Sequence, residues 1–217
     1  MNLKKPSFWE QSKPNLVSYI LLPFSLPILL RNFLFQFIKK EKSSKIKTIC
    51  IGNIYIGGTG KTPLTIKIYE ILKNLNNRVA TVKKDYSDQL DEQLLLKQKT
   101  NVIITKLRKD SIQQGINKNF DYLIFDDGLQ EMKIDFDIKF VCFKSKSWIG
   151  NGQLIPAGPM REKISSLKRF DAVFLNGYSN NFEKIENQIK KINSNINIFK
   201  TYYKILNIQE YDSNSKY

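Results

Sequence analysis

Apolar and polar positions divide the chain into two regimes. Between Leu16 and Ile38 the sequence LVSYILLPFSLPILLRNFLFQFI is almost wholly apolar, interrupted by Pro23, Pro27, Arg31 and Asn32. From Lys45 onward short apolar runs alternate with stretches of helical period, the signature of a parallel sheet covered by helices. Strands are predicted at 46–51, 78–82, 101–104, 122–125, 138–143 and 172–175, and helices at 62–73, 90–97, 108–117 and 182–191. Asn76-Asn77 marks a turn, and the Ser/Asn/Tyr-rich end after Asn207 reads as a frayed tail. The expected domain plan is an apolar and basic segment over 1–44, an α/β domain over 45–206 and a tail over 207–217.

The N-terminal run approaches the length of a membrane span. Pro23 and Pro27 are expected to break one continuous helix, and Arg31 with Asn32 would be costly at bilayer depth. A helix or helical hairpin lying in the interface fits these residues, with Phe8, Trp9 and Tyr19 near the headgroups. Lys39, Lys40, Lys42, Lys45 and Lys47 would face anionic lipid. Two alternatives stand beside it. A cleaved signal peptide shares the composition, although no small-residue cleavage site follows the run. A helix packed on the domain's own core shares it too, because a short apolar run does not reveal its partner.

At 217 residues the chain can bury one sizeable core. Its net charge of +15 points to an acidic partner: a membrane surface, a phosphorylated lipid or a nucleic acid. The bland alternative is a lysine-rich surface that is simply solvated. No recognisable nucleic-acid module supports a nucleic acid. The two cysteines, Cys50 and Cys142, sit inside apolar runs and read as core thiols, so neither a disulfide nor zinc is expected, and a reducing compartment is. Histidine is absent, which removes the commonest proton shuttle from any mechanism.

Candidate chemistry begins at Ile49–Pro63, ICIGNIYIGGTGKTP, a strand run, a glycine-rich turn and a helix start. Glycines let backbone N–H groups curl around a phosphate chain, since no Cβ stands in the way. The backbone of Gly57, Gly58, Thr59 and Gly60 is suited to that cradle, and the helix behind it points its positive dipole end at the same anion. Lys61 would bridge the β- and γ-phosphates, and the Thr62 hydroxyl would ligate Mg²⁺. The strict pattern G-x-x-x-x-G-K-[ST] asks for glycine where this chain has Tyr55. A second candidate is YLIFDDGLQ, Tyr122–Gln130, an apolar strand delivering Asp126 and Asp127 to the end of a sheet, where open α/β folds bind ligands. Either carboxylate could hold Mg²⁺ opposite Thr62. Read alone, the same letters also describe a hairpin with an Asp-Gly turn.

Together IGNIYIGGTGKTP, FDDGLQ and GNGQLIPAGPMREKISSLKRFDAVFLNG (150–177) resemble the tetraacyldisaccharide 4′-kinase family of lipid A biosynthesis, over roughly residues 6–177. Phe8-Trp9 and the proline-containing apolar segment are similar to the family's membrane-seating N-terminus, and its loop has the same GGTGKT form, which accounts for Tyr55. The resemblance implies a P-loop NTPase-like fold at the cytoplasmic face of the bacterial inner membrane. It implies transfer of the ATP γ-phosphate, with Mg²⁺, to the 4′-hydroxyl of an acylated glucosamine disaccharide 1-phosphate. It implies Asp91, beside Glu92, as the catalytic base and Arg108 near the phosphates. Asp126, Asp127 and Gln130 match the second acidic motif, and Arg161-Glu162 match a pair expected at the lipid substrate. A base carboxylate in reach of the sugar hydroxyl and cations around the transferring phosphoryl are what such a reaction requires.

The sequence departs from the family pattern in four places. Leu90 stands where the family has glycine, Glu131 stands where it usually has His or Asn, and the connection from Tyr86 to Asp91 is short. The family also continues into a second lobe whose histidine pairs with the base, so a reduced activity, or a companion chain supplying that lobe, is anticipated.

Overall fold

The structure, a computed structural model, describes residues 5–85 and 90–203. The predicted tail over 207–217 and most of the Tyr86–Asp91 connection lie outside the described residues. Seven strands form one sheet: β1 (Lys47–Gly52), β2 (Val79–Lys84), β3 (Val102–Thr105), β4 (Tyr122–Asp126), β5 (Ile138–Lys144), β6 (Ala172–Asn176) and β7 (Asn197–Thr201). Every ladder is parallel and the order is β3-β2-β4-β1-β5-β6-β7. Helices α3 (Lys61–Asn74), α4 (Leu90–Lys99), α5 (Arg108–Asn117) and α6 (Phe182–Ile192) connect them.

Central strands read as unbroken apolar runs because both faces are covered. Five of the six β1 residues are buried; Ile49 and Ile51 pack with Tyr69 of α3 on one face, while Cys50 packs with Phe125 and Phe136 on the other. Both cysteines are buried and free, and burial pushes their thiols up, Cys142 to about 12. The six predicted strands and four predicted helices are present within two residues of the expected ends. Strand β7 escapes prediction because it is a short edge strand, NIFKT, with no buried residue to set a period.

The N-terminal segment is helical without forming a hairpin. Helix α1 (Leu16–Leu21) passes through a 3₁₀ turn at Leu22–Ser25 into α2 (Leu26–Leu34). Each proline lies at the start of one of these pieces, where its missing N–H breaks no helical bond, so the chain tightens instead of turning back. Leu16–Leu34 is long and apolar enough to cross a membrane by length and composition, and only 11% of that stretch is buried. Trp9 is also placed differently from expectation: it is 9% exposed and its Nε1 donates to Pro156 O at 3.0 Å.

One polar bracket ties the start of β1 to the turn before β5. Thr48 N and Oγ1 donate to Asp137 Oδ2 at 2.9 and 3.0 Å, and Asp137 N donates back to Thr48 Oγ1 at 3.1 Å. Burial pushes the Asp137 carboxyl up, but the Thr48 donors and Lys42, 3.3 Å away, outweigh it and hold the group below its usual range. Its contribution is therefore complete above the ordinary carboxylate value of about 3.9 and fades as pH falls through the depressed one. Asp137→Ala is expected to lower stability by about 1.5–3 kcal/mol at pH 7, as for a hydrogen-bonded charged group. In urea unfolding the gap to wild type should shrink below about pH 4; a gap that ignores pH would show that the charge is not its source.

Candidate active site

Parallel pairing of β1 with β4 aligns Ile51 with Asp126, so the loop leaving β1 and the acids leaving β4 emerge side by side. This lies where the strand order reverses, the usual ligand crevice of an open α/β sheet. The first part of the loop is not free: Tyr55 is buried at 3% exposure and bridges Met160, while Ile56 N donates to Pro159 O at 2.9 Å. A side chain is required there to fill the core, which is why glycine is dispensable at position 55. Asn53, fully buried, then fixes the turn by donating through Nδ2 to Gly57 O at 3.1 Å and Thr59 Oγ1 at 3.2 Å.

Gly60 caps α3 in the left-handed region, with φ 82°. A Cβ at Gly60 would lie 2.2 Å from Asn176 Nδ2 and 2.8 Å from Tyr203 Oη, so both its dihedral and its surroundings demand glycine. Immediately after it the N–H groups of a 14-residue helix are open to an anion. Lys61, the first residue of that helix, points its Nζ to within 3.8 Å of Asp127 Oδ1.

Thr62 and Asp126 meet: the Thr62 hydroxyl donates to Asp126 Oδ2 at 3.0 Å, and Thr65 Oγ1 lies 3.4 Å from Oδ1. Asp126 is completely buried and also accepts from Lys83 Nζ at 2.8 Å. Lys83 contacts Glu92 as well. Burial pushes the Lys83 ammonium down, but the Asp126 and Glu92 carboxylates outweigh it, so the group stays charged above its ordinary value. Asp127 takes a positive φ of 58°, and its carbonyl accepts from Arg108 Nη2 at 2.7 Å. Asp127 Oδ1 and Arg108 Nε are buried without a hydrogen-bond partner, which leaves both able to meet a ligand. Gln130 donates to Asn53 O at 3.1 Å and accepts from Arg161 Nη1 at 3.0 Å, joining the acidic turn to the Arg161 segment.

Among the described residues no three His, Cys, Asp or Glu side chains gather as a metal cage. The hydroxyl of Thr62 and the carboxylates of Asp126 and Asp127 fit instead a hard cation that brings most of its oxygens from water and phosphate, as Mg²⁺ does. Of the predicted site residues, Gly57 to Thr62, Arg108, Asp126, Asp127, Gln130 and Arg161 surround this corner. Glu162 is 7% exposed and pairs with Arg169, away from the two aspartates. Asp91 lies in the first turn of α4, exposed and with no hydrogen bond or ion pair to another of the described residues, whereas its neighbour Glu92 reaches inward to Lys83. Sequence reasoning passed over Asn53, Thr65 and Lys83. Only Lys83 left a trace, a lysine closing the apolar strand run VATVK.

A parallel sheet, a glycine loop running into Gly60-Lys61-Thr62 and a buried strand-end aspartate on that threonine define a P-loop nucleotide-binding protein. The family model for LpxK, tetraacyldisaccharide-1-P 4′-kinase, matches residues 17–216, and the chain belongs to that family. It is 48% identical to the tetraacyldisaccharide 4′-kinase of Pelagibacter ubique (strain HTCC1062), over all of this chain and 69% of that protein. To the tetraacyldisaccharide 4′-kinase of Haemophilus influenzae (strain 86-028NP) it is 32% identical, over 82% of this chain and 60% of that one. Its fold is similar to "apo" form LpxK from Aquifex aeolicus, solved in complex with ATP, with a TM-score of 0.65 and 24% identity; 85% of this chain and 64% of that one are covered. The chain thus spans between 60% and 69% of the lengths of these three proteins.

Gly60→Ala is expected to weaken binding of a fluorescent ATP analogue by about tenfold or more, the equivalent of the backbone strain alone. Titration measures it directly, and an unchanged affinity would place the phosphate contacts outside this loop.

Proposed function

We propose that the chain is the nucleotide-binding part of a membrane-seated lipid kinase. It would transfer the γ-phosphate of ATP to the 4′-hydroxyl of a tetraacyl glucosamine disaccharide 1-phosphate. The observation that carries the chemistry is the 3.0 Å contact between Thr62 and buried Asp126, directly after the left-handed Gly60 that opens α3. In this reading Thr62, Asp126 and Asp127 hold Mg²⁺, which supplies charge neutralisation at the transferring phosphoryl group when bound. Gly57 to Gly60 wrap the phosphates, and Lys61 and Arg108 offset the charge that spreads over the phosphoryl oxygens. Asp91, next to the Glu92 that reaches Lys83, would take the proton from the sugar hydroxyl.

The lipid side rests on the polarity of the N-terminal helices. Their inward face sets polar contacts beside Ile28 and Leu29, which pack on the core: Ser25 Oγ donates to Leu154 O at 3.1 Å, Ser18 Oγ lies 3.0 Å from Asn151 Nδ2, and Asn32 Nδ2 donates to Arg161 O at 2.9 Å. Their outward face carries Leu16, Ile20, Phe24, Leu26 and Leu30, each more than half exposed. A helix that hides serine and shows leucine is suited to lipid and not to water. Beside it opens a groove of about 1050 Å³, lined by Leu26, Leu30 and Phe33 and by Lys163, Lys168 and Arg169, the last paired with Glu162, which also lines it, so that the basic groups outnumber the acid. Apolar side chains beside basic ones favour an acylated phosphosugar. Arg161, bonded to Gln130 of the acidic turn, would bind the 1-phosphate within reach of the nucleotide site. We assign residues 1–44 to membrane seating at the cytoplasmic face of the inner membrane and 45–206 to the kinase domain.

Two measurements test this. Lys61→Ala should slow phosphate addition to a disaccharide 1-phosphate lipid by about 10² to 10³-fold, the loss seen when one placed transition-state donor is removed. Mass spectrometry of the lipid reads the added phosphate. No addition by wild type would favour a relative that binds nucleotide without turnover. Ile20→Asp with Phe24→Asp should weaken co-sedimentation with anionic vesicles by more than about tenfold, given roughly 1.5–3 kcal/mol for each large apolar side chain kept from lipid. The melting temperature should hold, since both side chains are exposed; unchanged sedimentation would put the anchor elsewhere.

A further inference from the structure

We propose that Lys83 is a positioning residue, the resident counter-ion of Asp126, and that its ammonium would yield Asp126 and rest on Glu92 alone where the corner holds Mg²⁺. The proposal rests on the reading of Thr62 and Asp126 as the metal corner. Asp126 Oδ2 accepts from two groups at once, Thr62 Oγ1 at 3.0 Å and Lys83 Nζ at 2.8 Å. The side chain of Lys83 is 1% exposed and that of Asp126 is 0% exposed, so the ammonium has no water to lean on. A divalent cation bound through the same oxygen would sit within a few ångströms of that ammonium, where like charges repel strongly in a poorly solvated site.

Glu92 resolves the conflict. It also contacts Lys83, comes from the first turn of α4, and its side chain is 46% exposed. The long, flexible lysine stem lets Nζ leave Asp126 for Glu92 without unfolding anything. In the nucleotide-free protein the ammonium neutralises a carboxylate that would be costly to bury alone. A bare cation must then displace one charge to place its own. A cation that arrives with a triphosphate brings the anionic charge that makes the exchange favourable. The corner would so discriminate between free metal and metal–nucleotide, through a residue that touches neither.

The test is Mn²⁺ binding to the full chain, followed by electron paramagnetic resonance with and without a non-hydrolysable ATP analogue. Lys83→Met, which keeps length and removes charge, should bind Mn²⁺ without nucleotide at least about tenfold more tightly than wild type, because the repelling charge is gone. Its melting temperature should climb with Mn²⁺ over a range that leaves wild type unmoved. Glu92→Gln, which takes away the second resting place, should weaken Mn²⁺ binding in the presence of the analogue several-fold. Equal or weaker nucleotide-free binding by a folded Lys83→Met overturns the proposal. Should that variant fail to fold, an unchanged Mn²⁺ affinity in Glu92→Gln overturns it instead. If wild type binds no Mn²⁺ even with the analogue, the metal corner itself is wrong and this inference falls with it, an outcome distinct from the other two.

Discussion

A carboxylate with no exposed surface is held at the end of β4, and the arrangement of the crevice follows from what is needed to keep it there. Burying an ion costs several kcal/mol unless its lone pairs are met. Asp126 meets them with Thr62 and Thr65 from one helix and Lys83 from the neighbouring strand. Those contacts fix the first turn of α3 against the strand ends of β2 and β4. The same turn carries Gly60 and Lys61, so satisfying the aspartate also sets where the N–H groups proposed to bind phosphate point. Stability and chemistry are joined in one polar cluster, with Asp127 and Arg108 left partly unsatisfied on its ligand side.

The segment 150–161, part of the stretch that carries the resemblance to the kinase family, works mainly as a mount. Gly150 approaches Trp9 so closely that a Cβ would lie 2.1 Å from the Trp9 carbonyl oxygen. Asn151 Nδ2 lies 3.0 Å from both Ser18 Oγ and Ala157 O, and Met160 and Pro159 receive the start of the phosphate loop. One face of this mount therefore holds the outward-facing apolar helices and the other holds the nucleotide loop. Arg161, at its end, bonds to the acidic turn through Gln130. A rigid connection between the exposed apolar helices and the glycine loop would suit the lipid kinase proposed above, since an acceptor hydroxyl would have to be presented at a fixed depth.

Local pattern was enough for much of this. Apolar runs at strand length with helical stretches between them gave six of the seven strands and the four domain helices. Gly60-Lys61-Thr62 and Asp126-Asp127 could be picked out because glycine turns and strand-end acids have chemical meaning within a few residues of themselves. The resemblance to the kinase family likewise rested on contiguous letters. What the letters could not carry was the partner of each charge. Lys83 finds Asp126 from 43 residues away, and only because β2 and β4 are neighbours in the sheet. The way α4 docks likewise decided that Glu92, and not the adjacent Asp91, faces that lysine. Trp9 reads as a headgroup residue until the 150–161 segment covers it, and Ser18 and Ser25 read as accidents in an apolar helix until they turn out to be its inward face. Periodicity and capping are settled by neighbours along the chain, whereas burial and ion pairing are settled by neighbours in space, and only the packed sheet brings those together.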